Sequence, residues 1–564
     1  MHTILIQTTA VANSDSNAMP PVRPGYGLLL FFSCALMLPV LAVLASWLPW
    51  GGGMAASLAI LAEMGRTVLP DYAGTTVLLC AMVAVGVVTV GLSTAAAVTL
   101  FAFPGKRLFE WALLLPLAMP AYVVAYAYSD FLQYSGPLQT AMRNLSGLEG
   151  RMLPEVRSLW GAAWVFTFAL YPYVYLLARA ALGDRATQLM EAARLMGASL
   201  SRRIREIALP LARPAVAAGV ALALMETLAD FGVSSYFGIQ TFTAGIYKAW
   251  LSMDNRVAAA QLSTMLLVLV AILLALEQRA QRRMRFSTLK GIRAGSADAQ
   301  PVVLGGWRAL AVWLLCVTPV LMGFVLPVLF MLRPLLAGSE AIPWTRFMDW
   351  GLNSVRLATI TSAMAVLLAL GLAYSARRSS HWVPQLSARL ASLGYAIPGA
   401  VVVVGLLLPV GWLQASYPDL QAGYYVTATA FGIVWAYLVR FCAVALQSLQ
   451  SGYARVPQSL DESARMLGAG PLRILSGVHW PMLRRSVAAA ALLVFVDVMK
   501  ELPATLVLRP FNSDTLAVVA YQLARDERLG EAALPCLALV LVGLLPVILL
   551  SRTLRAGPHI HGRS

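Results

Sequence analysis

Long apolar runs, separated by short polar and often basic stretches, recur along the whole chain. Twelve of them, near residues 26–48, 76–102, 111–132, 158–180, 212–235, 259–277, 307–332, 353–375, 392–413, 424–447, 485–507 and 531–551, reach about the 20 residues that cross hydrocarbon as a helix. None shows the alternation of a barrel strand, and only helices or closed barrels satisfy every backbone N–H and C=O inside a bilayer. The pattern predicts an all-α polytopic membrane protein of about 12 transmembrane helices.

Composition agrees, with 59% hydrophobic and 12% charged residues in 564. The net charge of +16 would suggest nucleic acid in a soluble protein. Here the basic residues gather beside spans on one side of the membrane, so anionic lipid headgroups are the expected partner and nucleic acid is not. The positive-inside rule puts both termini in the cytoplasm. The polar N-terminus has no basic lead into a short cleavable core, so the first span is expected to be retained after a tail of residues 1–25. Cys34, Cys80, Cys316, Cys442 and Cys536 are scattered through apolar runs without paired spacing, which points to neither a disulfide framework nor a metal cluster.

The chain repeats itself. Glu191, Ala192 and Ala193, three residues, Gly197, nine residues, then Ile207 to Pro210 recur 271 positions later as Glu462, Ser463 and Ala464, Gly468, and Val478 to Pro481. Across 191–213 and 462–484, eight of 23 positions are identical, and Ala118 to Val123 matches Ala396 to Val401 at an offset of 278. A basic connector divides two sets of six spans, predicting a first repeat over 26–280, a cytoplasmic linker over 281–305, a second repeat over 306–555 and a tail over 556–564. Six spans per half give the repeats one orientation, with a pathway between them on a pseudo-two-fold axis along the membrane normal.

The repeated loop has its own physics. Leu189, Ala192 or Ala193, and Met196 give a short helix one apolar stripe. Gly197 stands where a helix end favours positive φ, Ser199 or Ser201 can cap the next segment, and Pro210 marks return to the bilayer. An interfacial helix lying on lipid would need the stripe alone; duplication of the whole spacing favours docking to a partner.

Four acids are duplicated too. Glu226 and Asp497 each lie 16 residues past the loop proline, and Asp230 and Glu501 follow four residues on. At this depth an ionised group costs about 2.5–3.5 kcal/mol, so partners are expected: Lys500 for the second pair, and Arg356 for the first. The acids read either as a structural network or as pathway and gate. Tyr122, Tyr126 and Tyr128 are expected as interface anchors. Of the five histidines, His479 falls in the second loop, where an exposed position is expected.

The Glu-Ala-Ala, Gly and Ile-x-Leu-Pro spacing resembles the signature loop of permease subunits of type I binding-protein-dependent ABC importers, and its two copies resemble fused permeases. That resemblance implies a coupling helix in each loop, fitting a cleft in each of two ATPase subunits: Glu191, Ala192, Ala193, Gly197 and Pro210 at one, Glu462, Ser463, Ala464, Gly468 and Pro481 at the other. It also implies an external solute-binding protein and a bacterial inner membrane. Ser463 and Trp480 depart mildly from the pattern. No G-x-x-x-x-G-K-[S/T] motif occurs, so a non-catalytic chain without cofactor or metal is expected, its ATP hydrolysed by a partner. The tracts from Leu228 and from Met499 resemble ferric iron permeases more closely than those for thiamine or aminoethylphosphonate. An ion-coupled secondary transporter would also carry buried acids, but would not need matched docking loops.

Overall fold

The computed structural model describes residues 24–47, 53–289, 302–337, 344–379 and 381–555. The expected tails lie outside these apart from residues 24 and 25, as does 290–301 of the expected linker; the linker's beginning continues the helix Arg256–Leu289. Among the described residues, ten helices are long and apolar enough to cross a membrane, and a bent pair, Lys106–Ala118 with Ala121–Ser146, makes an eleventh. The remaining run corresponds to the helix Trp480–Lys500, in which Arg484, Arg485, Asp497 and Lys500 dilute the apolar character.

Proline explains the bend. Met119 is extended and Pro120 opens the helix Ala121–Leu132, because the residue before a proline is pushed out of the helical region. The second half repeats this, with Ile397 extended before Pro398 and the helix Gly399–Ser416. Both predicted spans, 111–132 and 392–413, are therefore broken near the same motif.

Each half builds the same three-helix bundle. Leu69–Leu100, Leu159–Leu182 and Leu209–Ala229 pack together in the first; Trp344–Arg378, Ala430–Tyr453 and Trp480–Lys500 do so in the second. The first span of each half packs on the other half. Pro24–Ala45 lies against Trp382–Ser392 and Gly399–Ser416, tied by Tyr26 to Ser379 at 2.8 Å and by the Trp435 indole to the Ala35 carbonyl at 3.1 Å. The helices Gly306–Val320 and Leu326–Leu336 reciprocate: Tyr128 donates to the Met322 carbonyl at 2.6 Å, and Phe131 stacks on Phe330 at 3.9 Å. A two-residue parallel bridge, Phe101–Ala102 with Val302–Val303, joins the halves again.

Candidate functional site: two matched loops and a shared cavity

In the first loop, the helix Asp184–Leu195 ends at Met196, and Gly197 turns the chain at φ +84. Ser199 caps the short helix Leu200–Arg203, and a π-helical turn, Ile204–Ala208, leads into Leu209–Ala229. In the second, the helix Gln458–Met466, Gly468 at φ +78, a short helix Pro471–Ile474, a π turn Leu475–His479 and the helix Trp480–Lys500 follow the same plan. The two π turns and the two span starts are each offset by 271 residues. Single π turns inside helices mark functional positions more often than chance. Leu189, Leu195 and Met196 are exposed at 51%, 83% and 82%, and their equivalents Leu460, Met466 and Leu467 at 39%, 89% and 88%. Each loop thus offers the same apolar knob, which is what a docking helix needs.

Beneath the loops the halves differ. Asp461 and His479 are buried: the carboxylate takes the Arg377 guanidinium at 2.9 Å and meets His479 Nε2 at 2.8 Å, while Arg377 also donates to the carbonyls of Tyr453 and Val456. Burial opposes the charge on Asp461, but hydrogen bonds from His479 and Arg377 outweigh it and hold this carboxyl below the usual range. In the first half Met190 and Ala208 occupy the equivalent positions, both buried. His479 is only 1% exposed, contrary to the exposed position expected of it, because the π turn points it inward between Tyr374 and Tyr453.

The four duplicated acids meet. Glu226, Asp230, Asp497 and Glu501 line one cavity of about 200 Å³ between the halves, with Tyr122, Tyr173, Tyr395, Arg440 and Lys500. A cavity of this size holds several waters. The helices carrying the acids end at Ala229 and Lys500, earlier than the predicted spans, because Asp230 and Glu501 are extended. Asp230 accepts from the Val233 amide at 2.8 Å; Glu501 accepts from Ala504 and Thr505 amides, each at 3.0 Å. Each of these acids therefore caps the short helix that follows, Gly232–Tyr236 or Pro503–Leu508. Glu226 accepts from the Tyr395 hydroxyl at 2.6 Å.

Partners differ from those expected. Glu501 pairs with Arg440 at 2.9 Å, whereas Lys500 donates to the Leu117 carbonyl at 3.1 Å. Arg356 is exposed and lies outside the cavity lining. Arg440 sits inside the helix Ala430–Tyr453; the sequence reading gave it no role, although a lone arginine at mid-span was itself the signal. Tyr122, Tyr126 and Tyr128 are buried at 4%, 2% and 4% rather than anchored at an interface. The break at Pro120 turns their helix inward, where Tyr122 donates to the Lys500 carbonyl at 3.2 Å. Among the described residues no group of three or more His, Cys, Asp or Glu side chains is arranged to hold a metal.

A duplicated helical bundle with paired polar loops at one end and a central polar cavity has the build of a solute permease. The chain belongs to the family described as binding-protein-dependent transport system inner membrane component, which matches residues 87–286 and again 365–556. It is a fused, multi-pass permease of an ABC importer. It is 24% identical over 86% of its length to the Fe(3+)-transport system permease protein FbpB 2 of Haemophilus influenzae, covering 90% of that protein. A probable ABC transporter permease protein y4fN of Sinorhizobium fredii is 25% identical over 93% of this chain and 94% of its own. A putative 2-aminoethylphosphonate transport system permease, PhnU of Salmonella paratyphi A, is 30% identical over 28% of this chain and 55% of its own.

Proposed function

We propose that this chain passes ferric iron, delivered by an external binding protein, through the cavity between its halves, driven by two copies of a separate ATPase subunit. The duplicated loop carries the reading: two copies of one apolar knob, each followed by a left-handed glycine, suit two identical motor subunits. Glu191, Ala192, Ala193, Gly197 and Pro210 serve one contact, and Glu462, Ser463, Ala464, Gly468 and Pro481 the other. Glu226, Asp230, Asp497, Lys500 and Glu501 line or gate the pathway. The repeats run over 26–280 and 306–555, with both termini, the linker and the loops cytoplasmic and the basic flanks on anionic lipid.

Ferric iron as the solute is supported by the name and long coverage of the Haemophilus influenzae relative and by the cavity's chemistry. Four carboxylates against two cations leave an acidic, oxygen-rich lining, which suits a hard cation better than an anion. The test is uptake by proteoliposomes containing the chain with its co-purified ATPase, offered the corresponding binding protein. ATP-dependent accumulation of ferric ion is expected. Accumulation of thiamine or 2-aminoethylphosphonate instead would replace the solute, and accumulation driven by an ion gradient without the ATPase would make the chain a secondary transporter.

A further inference from the structure

We infer that Arg157 is a positioning residue for transport: held by Glu527 and Tyr236, it straps the two halves together at the end of the cavity remote from the docking loops. Solute can enter from that side only when the strap opens. This rests on the permease reading of the cavity.

Arg157 precedes the helix Leu159–Leu182, whose 24 residues separate it from the first docking loop, roughly 36 Å at helical rise. It belongs to the first half. Its guanidinium grips Glu527, in the second half, with two bonds of 2.6 and 2.8 Å, and donates to the Tyr236 hydroxyl at 2.9 Å. The same group lies 4.6 Å from the centre of the Tyr236 ring. Forked arginine–carboxylate pairs with an additional partner hold geometry far better than single exposed ion pairs. Glu527 stands at φ +61, the left-handed residue that ends the helix Leu516–Arg525, its amide bonded to the Ala524 carbonyl and that of Arg528 to Leu523. The mutual bonds hold the Glu527 carboxyl below its usual range and raise Arg157 further.

The strap reaches the cavity through one short element. Tyr236 ends the helix Gly232–Tyr236, which Asp230 caps from the cavity wall. Its ring packs edge-on against Tyr126 at 4.7 Å, and beside it Ser235 bonds Tyr521 of the other half at 2.8 Å. Parting Arg157 from Glu527 therefore removes one of the two polar ties among the described residues, the other being Ser235 with Tyr521, that hold the helix next to the cavity against the second half. The repeat does not require this contact: at the equivalent turn of the first half, just before the helix Arg256–Leu289, Asp254 is also left-handed, at φ +46, and pairs at 3.9 Å with Arg256 of its own half.

The test uses the full complex, the chain with its co-purified ATPase in nanodiscs, with ATP hydrolysis measured alone and with the binding protein loaded with ferric ion. Glu527→Gln and Arg157→Gln should each raise hydrolysis without binding protein, reducing the stimulation ratio by about fivefold. The exchanged pair, Arg157→Glu with Glu527→Arg, should recover most of that ratio. A purely structural bridge would lower assembly yield and leave the ratio unchanged. For variants that assemble poorly, Arg157→Cys with Glu527→Cys in a background with the five native cysteines replaced gives a second measurement. Cross-linking should abolish stimulation, and reduction should restore it. A wild-type complex stimulated by its binding protein, with unmoved variants or undiminished stimulation while cross-linked, overturns the strap alone. A wild-type complex that no loaded binding protein stimulates overturns the importer reading and the strap with it.

Discussion

Single residues bear unequal loads in the two docking loops. Gly197 and Gly468 meet no neighbouring atom where a side chain would begin, so what excludes other residues is the left-handed backbone itself, worth about 1–2 kcal/mol per position. A Gly197→Val, Gly468→Val double variant should insert normally yet fail to couple, with uptake lost and protein level unchanged; normal uptake would remove these glycines from the coupling path. Below the second loop, the buried Arg377, Asp461 and His479 form one network. Asp461→Ala strands a buried guanidinium and should lower the unfolding midpoint by an amount equivalent to about 3–5 kcal/mol, whereas Met190→Ala in the first loop removes only apolar packing, about 2–5 kcal/mol. The costs overlap, so pH distinguishes them. Asp461 has a depressed folded pKa, so its contribution is complete above the ordinary carboxylate range and fades as pH falls through the folded value. Glu527 follows the same sign, held down by Arg157. The difference in unfolding midpoint between wild type and Glu527→Gln should stay constant from neutral pH to near the unfolded glutamate value of about 4.3 and close below it. A difference that shrinks between pH 8 and 6 would show that another group titrates. Because Glu527 is 58% exposed at its side chain, screening keeps the effect small.

At the scale of elements, the acids that look alike in sequence divide into two jobs. Asp230 and Glu501 sit where a helix stops and the next begins, and accept the amides of the new helix. Asp230→Ala should therefore cost about 0.5–2 kcal/mol of stability, read by thermal unfolding. Glu226 and Asp497 lie one turn earlier, inside their helices and facing the cavity. Glu226→Gln, Asp497→Asn should leave the midpoint unchanged or raise it while reducing ferric ion uptake at preserved ATPase stimulation. Unaltered uptake would reduce the acids to framework. Periodicity made the helices legible, and spacing made both loops and all four acids legible, because these are local in sequence. The partners were not. Arg440 meets Glu501 across 61 residues, and Tyr395 meets Glu226 across 169; only the packing of one helix on another decides such pairs. Tyr126 and Tyr128 read as interface anchors for the same reason, since an aromatic facing a neighbouring half and one facing headgroups look identical along the chain.

At the scale of the molecule, the two halves are not self-contained. The helix Pro24–Ala45 leaves its own bundle to cover Trp382–Ser392 and Gly399–Ser416, and Leu326–Leu336 returns the exchange against Ala121–Leu132. Each half expressed alone would expose a face shaped for a helix that belongs to its partner, and would leave its own first span only the contacts within the half, Pro24–Ala45 on Arg256–Leu289 or Leu326–Leu336 on Leu529–Arg555. In lipid no hydrophobic drive compensates for such a loss, because association there depends on close packing and bonds between helices. The pairs Tyr26 with Ser379, Tyr128 with the Met322 carbonyl, and Arg333 with Asp130 at 3.5 Å would all be broken. Cutting the chain within 290–301 and producing both pieces in one cell should therefore yield a complex that co-purifies and retains ATP-dependent uptake, while either piece alone is degraded. Removing residues 1–47 from the first piece should weaken capture of the second piece, even though the deleted span belongs to neither docking loop nor the cavity lining. If each piece were instead stable alone and the truncated one still captured its partner fully, the exchange of first spans would not be what holds the halves in register around the cavity.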